Sequence, residues 1–173
     1  DFDHIKETEN VINRLDHSIT HFITNLSYDQ MSEDSLEDTT LYLEVAKNLE
    51  RIGDLSVNVA EFAKMVHEDG DHFSPGAYEE VNAMFTYLYV MLDEAFEFLD
   101  KRDVAIYEKL ITQESNLDNM EYESRKNHFK RMVNKECTGA VASSIYADIL
   151  GNLERMGDHC CNIARYAFDN QRQ

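Results

Sequence analysis

The sequence predicts an all-α protein of tandem antiparallel helical bundles with about five long helices. Three observations lead there. Apolar residues recur at three- and four-residue steps along most of the 173 residues. Proline occurs once and glycine six times, so little interrupts a helix. No alternating apolar stretch flanked by turn residues marks a strand.

Ile5, Ile12, Leu15, Ile19, Phe22, Ile23 and Leu26 share one face of a first helix that ends near Leu26. Ser32, followed by Glu33 and Asp34, reads as the N-cap of a second. Leu41, Val45, Leu49, Ile52, Val59, Phe62 and Val66 form its apolar series, and the polar stretch His67 to Phe73 is its exit. Ser74 and Pro75 supply a cap and a first-turn proline for a third helix. Its series Tyr78, Val81, Phe85, Leu88, Leu92, Ala95 and Leu99 has bundle spacing. After Asp100 to Asp103, a fourth helix carries Ile106, Leu110, Leu117, Met120, Phe129 and Met132, and a break at Asn134 to Gly139 precedes the fifth. The division expected is 1–70 for a first repeat of two helices and 74–173 for a second of three.

The charge balance narrows the partners. With 34 Asp and Glu against 16 Lys and Arg, the formal net charge is -18, which repels nucleic acid and anionic lipid headgroups and suits multivalent cations. Cys137, Cys160 and Cys161 give no even disulfide framework, which suits a reducing, cytoplasmic setting. The least charged apolar stretch, Val81 to Leu92, is too short to span a bilayer, so no direct membrane insertion of this chain is expected. The chain enters helical register almost at Asp1, and is expected to be part of a longer polypeptide.

The chemistry lies in an internal repeat. Asn48-Leu-Glu-Arg-Ile-Gly-Asp54 returns, 104 positions on, as Asn152-Leu-Glu-Arg-Met-Gly-Asp158. Asn58/Asn162, Ala60/Ala164 and Ala63/Ala167 continue the match, and Glu9, Asn13 and Asp16 correspond to Glu114, Asp118 and Glu121. On a helix, Glu50, Asp54 and Asn58 form one line a turn apart, as do Glu154, Asp158 and Asn162. Like charges at this spacing repel. If each line faces the acidic edge of a neighbouring helix, four to six oxygen ligands surround a cation in each half. The candidate metal ligands are therefore Glu9, Asp16, Glu50 and Asp54 in the first half, and Glu114, Asp118, Glu121, Glu154 and Asp158 in the second. Gly53 and Gly157, unfavourable inside a helix, call for close approach of a backbone or a metal cluster. Arg51 and Arg155 lie beside the carboxylates.

Solvated acidic faces are the plain alternative. Retention of Asn, Glu, Arg, Gly and Asp in both copies, while Leu55/His159 and Glu61/Arg165 diverge, weighs against it. Other groups read as less specific: His17 and His21 at chelating spacing on a solvated face, His67, Asp69, Asp71 and His72 as an acidic connector, Cys160 and Cys161 as core. A carboxylate-bridged metal enzyme of ferritin-like type is the rival class, but it needs Glu-x-x-His motifs, and no Glu here is followed three residues later by His.

The duplicated segments N-L-E-R-I-G-D-x-x-x-N-V-A-E and N-L-E-R-M-G-D-x-x-x-N-I-A-R resemble the signature helices of the PhoU family over nearly the whole chain. That resemblance implies a non-enzymatic phosphate-signalling protein of two three-helix bundles, with multinuclear iron or zinc as its metal ions. A narrower likeness, carried by Asn25-Leu-Ser27, Met31-Ser-Glu33 and the segment His128 to Cys137, is to the cytosolic C-terminal region of bacterial sodium/phosphate cotransporters. It implies a membrane phosphate transporter as partner, on the same polypeptide, and a place at the inner face of the cell membrane; a stand-alone phosphate-signalling regulator is the alternative. Asn13 stands where the second copy has Asp118, which weakens the first site. The first bundle also lacks a counterpart of the helix Ser74 to Leu99. The strip left open, including Ile12, Ile19, Val45, Leu49 and Phe62, predicts a homo-oligomer joined through the first half.

Overall fold

The computed structural model describes residues 2–26, 32–136 and 139–170. These residues form five helices and no strand: α1 (Phe2–Thr24), α2 (Glu33–Glu68), α3 (Pro75–Lys101), α4 (Val104–Val133) and α5 (Ala140–Asn170). Cys137, Ser27 and Met31 of the sequence reading lie outside the described residues, as do the side chains of Glu33 and Asp34.

Local chemistry sets the helix ends. Ser32 accepts from the Ser35 amide, Ser74 from the Ala77 amide with Pro75 in the first turn, and Asp103 from the Ala105 amide. The α3 exit is Arg102, left-handed at φ 55, whose Nη1 also donates to the Ala167 carbonyl near the end of α5 at 3.0 Å. Past α4, Lys135 takes φ 59, its amide bonds to the Met132 carbonyl and the Glu136 amide to the Arg131 carbonyl, a Schellman end with lysine where glycine is usual. The α5 start is capped from a distance. Asp71 accepts from the Ala142 amide at 2.9 Å and the His72 amide at 2.7 Å, and these bonds hold its carboxyl below its ordinary range. The loop read as an acidic connector therefore contains a helix cap.

The apolar faces meet in one order. α2 packs on α5, α1 on α2, and α3, α4 and α5 on one another. The densest core belongs to the second half, where Met84, Met91, Phe98, Leu110, Tyr146, Leu150 and Ile163 are fully buried. One end of that bundle is tied by a polar cluster. Glu80 of α3 accepts from Arg131 Nη1 and Nη2 at 3.1 and 2.8 Å, from Asn127 at 3.0 Å, and from the Tyr146 hydroxyl. Burial would raise the Glu80 pKa, but these donors outweigh it and hold it below its ordinary 4.5.

In the first half, α1 rests on α2 and leaves an apolar groove beside it. Its two stretches, about 450 and 550 Å³, are lined mainly by Ile12, Leu15, Ile19, Phe22, Val45 and Leu49. Leu15 and Phe22 are more than half exposed.

The repeated glycines have different surroundings. A Cβ on Gly53 would stand 3.4 Å from Ile12 Cδ1, whereas one on Gly157 would fall 2.3 Å from Leu117 Cδ2. In both halves a side chain of the facing helix, rather than backbone, approaches the glycine.

Three outcomes follow. In urea unfolding, Gly53→Ala is expected to be neutral or to stabilise by up to about 1 kcal/mol through helix propensity, while Gly157→Ala overpacks Leu117 and costs about 1–3 kcal/mol. Glu80→Ala strands Arg131, itself 12% exposed, and is expected to cost about 3–5 kcal/mol. Because the Glu80 pKa is depressed, its contribution is complete above its unfolded pKa and disappears as pH falls through the folded value. Sedimentation at micromolar concentration is expected to show self-association that Ile19→Glu reverses; a monodisperse native monomer would count against it.

Candidate metal centre

One acidic line lies on α2 and the other on α5, and each meets the helix that packs beside it, α1 against α2 and α4 against α5. The core of the α2–α5 contact is apolar, with Leu55 and Val59 buried on α2 and Met156, Cys160 and Ile163 on α5. Two polar pairs register it. Asn48 Oδ1 accepts from His159 Nδ1 at 2.8 Å, and Asn152 Oδ1 from Asn58 Nδ2 at 3.5 Å. Asn48 and Asn152, which open the two copies of the motif, are both buried. The sequence reading missed this role; their place at identical motif positions on the inward face was the available signal. Burial, with the nearby Arg51 charge, holds the His159 pKa below its ordinary value against the pull of Asp158.

In the first half, Glu50 of α2 lies within the field of Asp54 on its own helix and of Asp16 and Glu9 on α1. Partial burial raises the Glu50 pKa, and the charges of Asp54, Asp16 and Glu9 raise it further, against Arg51. Asn13, between the two α1 carboxylates, donates from Nδ2 to Glu9, while its buried Oδ1 has no hydrogen-bond partner among the described residues. Asp54 is exposed.

The second half repeats this on α4 and α5. Burial raises the Glu154 pKa, with Asp158, Asp118 and Glu121 adding to the shift. Burial and then Asp118 raise that of Asp158. Glu114 is raised by burial and by Asp158 and Asp118, against Arg165, whose Nη2 lies 4.0 Å from its carboxylate. Glu121 is held by Arg125 Nε. At the matching first-half position Glu61 pairs with Lys6 at 2.8 Å, so the divergent pair Glu61/Arg165 carries out cross-helix pairing with opposite signs.

The donor set is oxygen throughout, which suits hard, multivalent cations in kind. As the side chains stand, no group of three or more His, Cys, Asp or Glu among the described residues is gathered closely enough to hold an ion. His17 and His21 are exposed on α1. Cys160 and Cys161 are buried, which pushes each thiol up to about 12; they are core groups with little thiolate character. Among the described residues no helix is long and apolar enough to cross a membrane.

Comparison with known proteins agrees with this architecture. The chain is 31% identical over 121 residues to the phosphate-specific transport system accessory protein PhoU homolog 1 of Thermotoga maritima, covering 70% of this chain and 51% of that protein. It is 28% identical over 169 residues to the phosphate-specific transport system accessory protein PhoU homolog of Pseudomonas aeruginosa, covering 92% of this chain and 65% of that one. The chain thus spans between about half and two thirds of these relatives. The crystal structure of PhoU from Pseudomonas aeruginosa shares the fold, with a TM-score of 0.82 at 23% identity, over 99% of this chain and 81% of that one. The model of the PhoU domain matches residues 2–63 and 81–167, and the chain belongs to that family.

Proposed function

We propose that this chain is a non-catalytic regulatory domain that controls phosphate uptake at a membrane transporter, and that multivalent cations bind its two carboxylate clusters. One observation carries the cation reading. In each half, partial burial and then the charges of acidic residues on its own and the facing helix raise the pKa of a repeated carboxylate, Glu50 in the first and Glu154 in the second. Such repulsion opposes folding unless a cation relieves it. Glu9, Asp16, Glu50 and Asp54 would hold the ion of the first half, and Glu114, Asp118, Glu121, Glu154 and Asp158 those of the second. A bound ion would supply positive charge and a cross-link between the two helices of each pair. Iron or zinc is the identity that the family resemblance implies.

The phosphate role is supported by the names of the relatives, which are accessory proteins of phosphate-specific transport. The cotransporter-like segments extend the reading to a cytoplasmic domain carried by the transporter polypeptide at the inner membrane face. A stand-alone regulator is the second reading, favoured by the match to separate accessory proteins. Coexpression with a phosphate transporter, scored by phosphate uptake with and without this chain, tests the regulatory role.

Chelation is expected to lower the melting temperature and added multivalent cations to raise it, with elemental analysis of protein purified without a His-tag identifying the ion. The pH linkage has a definite sign. Carboxyls whose folded pKa is raised give their full contribution below the unfolded pKa and lose it as pH rises through the folded one. Glu154→Gln with Asp158→Asn should therefore raise the melting temperature of the metal-free chain at pH 7 and remove its response to cations at the second cluster. Wild-type protein that contains no metal and is indifferent to chelator and cation alike would overturn the cation reading.

A further inference from the structure

Two positive charges converge over a glycine of α5. A Cβ built on Gly151 would stand 3.1 Å from Nη2 of Arg125 and 3.9 Å from Nη2 of Arg155. The guanidinium groups, one from α4 and one from α5, therefore face the same point on the helix surface. Each is anchored through Nε alone. Arg125 Nε donates to Glu121, and Arg155 Nε donates to the Gly151 carbonyl at 3.1 Å. Among the described residues no hydrogen bond occupies the Nη2 groups, and Arg155 has no ion pair within 4.0 Å. Both side chains are exposed and open to a ligand from solvent.

Arg125 is paired through Nε with Glu121 and Arg155 lies in the field of Glu154, so what the two groups offer an added anion is their Nη2 edges. Guanidinium groups present paired donors suited to the oxygens of a tetrahedral oxyanion. Glycine, otherwise unfavourable within a helix, leaves the gap that lets Arg125 come this close. The arrangement is confined to the second repeat. At the 104-residue offset Gly151 corresponds to Lys47, and in the register that aligns Glu9 with Glu114, Arg125 corresponds to Thr20. The first repeat thus retains Arg51 but has neither the gap nor a second guanidinium.

We propose that Arg125 and Arg155, set over Gly151, form a binding site for inorganic phosphate. This goes beyond the cation reading and does not depend on it, because the two arginines converge whether or not an ion occupies the carboxylates. The net charge of -18 works against any anion at long range, so affinity comes from short-range donor geometry and is modest.

The intact chain, stripped of metal by chelator, is titrated with inorganic phosphate at ionic strength held constant with chloride, and the arginine Nε and Gly151 amide resonances are followed by NMR. Saturable shifts are expected with a Kd on the order of 1 mM or tighter. Arg155→Gln, which breaks no ion pair, is expected to weaken binding about tenfold. Gly151→Ala, whose Cβ would press Arg125 Nη2 aside from 3.1 Å, is expected to weaken it less, with circular dichroism confirming the helical fold. Shifts that never saturate, or that are unchanged in folded Arg155→Gln protein, would overturn the proposal. Because chelator is present throughout, failure here leaves the cation reading intact, and failure of the cation reading leaves the phosphate titration unaffected.

Discussion

Because α2 and α5 are copies of one helix packed against each other, the inward face of each is used up in that contact. Leu55, Val59, Met156, Cys160 and Ile163 are buried, and Asn48 and Asn152 register the pair with hydrogen bonds. The acidic lines, offset from that face on both helices, must then emerge on the flanks. There α1 and α4 meet them, which brings Glu50 near Asp16 and Glu9 and Glu154 near Asp118 and Glu121.

Much of this could be read from the sequence because it depends on contacts close along the chain. Ser32, Ser74 with Pro75, and the polar stretch Asp100 to Asp103 mark helix ends through local hydrogen bonds and backbone preference. The placing of acidic residues at the same four- and three-residue steps on two helix pairs was legible through the duplication; among the described residues they are not gathered about a single point. Contacts between residues far apart were not legible. Asp71 caps a helix that starts 69 residues later, and Glu80 meets Arg131 and Tyr146 through a crossing that no periodicity specifies. Gly53 and Gly157 look equivalent in sequence, yet Ile12 and Leu117 approach them differently.

The two halves share a pattern and differ in how firmly it is built. The second has three helices around a core of fully buried side chains, closed at one end by the Glu80 cluster. The first has two helices and a groove. Asn13 replaces the carboxylate of Asp118, and Lys6–Glu61 reverses the polarity of Arg165–Glu114. Duplicated backbone geometry has been kept while the charges around it have been redistributed.

Among the described residues α1 makes its main helix contact with α2 alone. A helix held on one face can detach at a fraction of the free energy needed to unfold the whole molecule. Its detachment would separate Glu9 and Asp16 from Glu50 and Asp54 while α2 stayed folded on α5. The first cluster therefore exists only in the docked population, and any ligand bridging α1 to α2 binds with an affinity scaled by that fraction. In the second half α4 packs on both α3 and α5, so separating Glu114, Asp118 and Glu121 from α5 requires breaking two helix contacts. The two carboxylate groupings thus differ in what their assembly requires, the docking of one helix in the first half and the packing of three in the second.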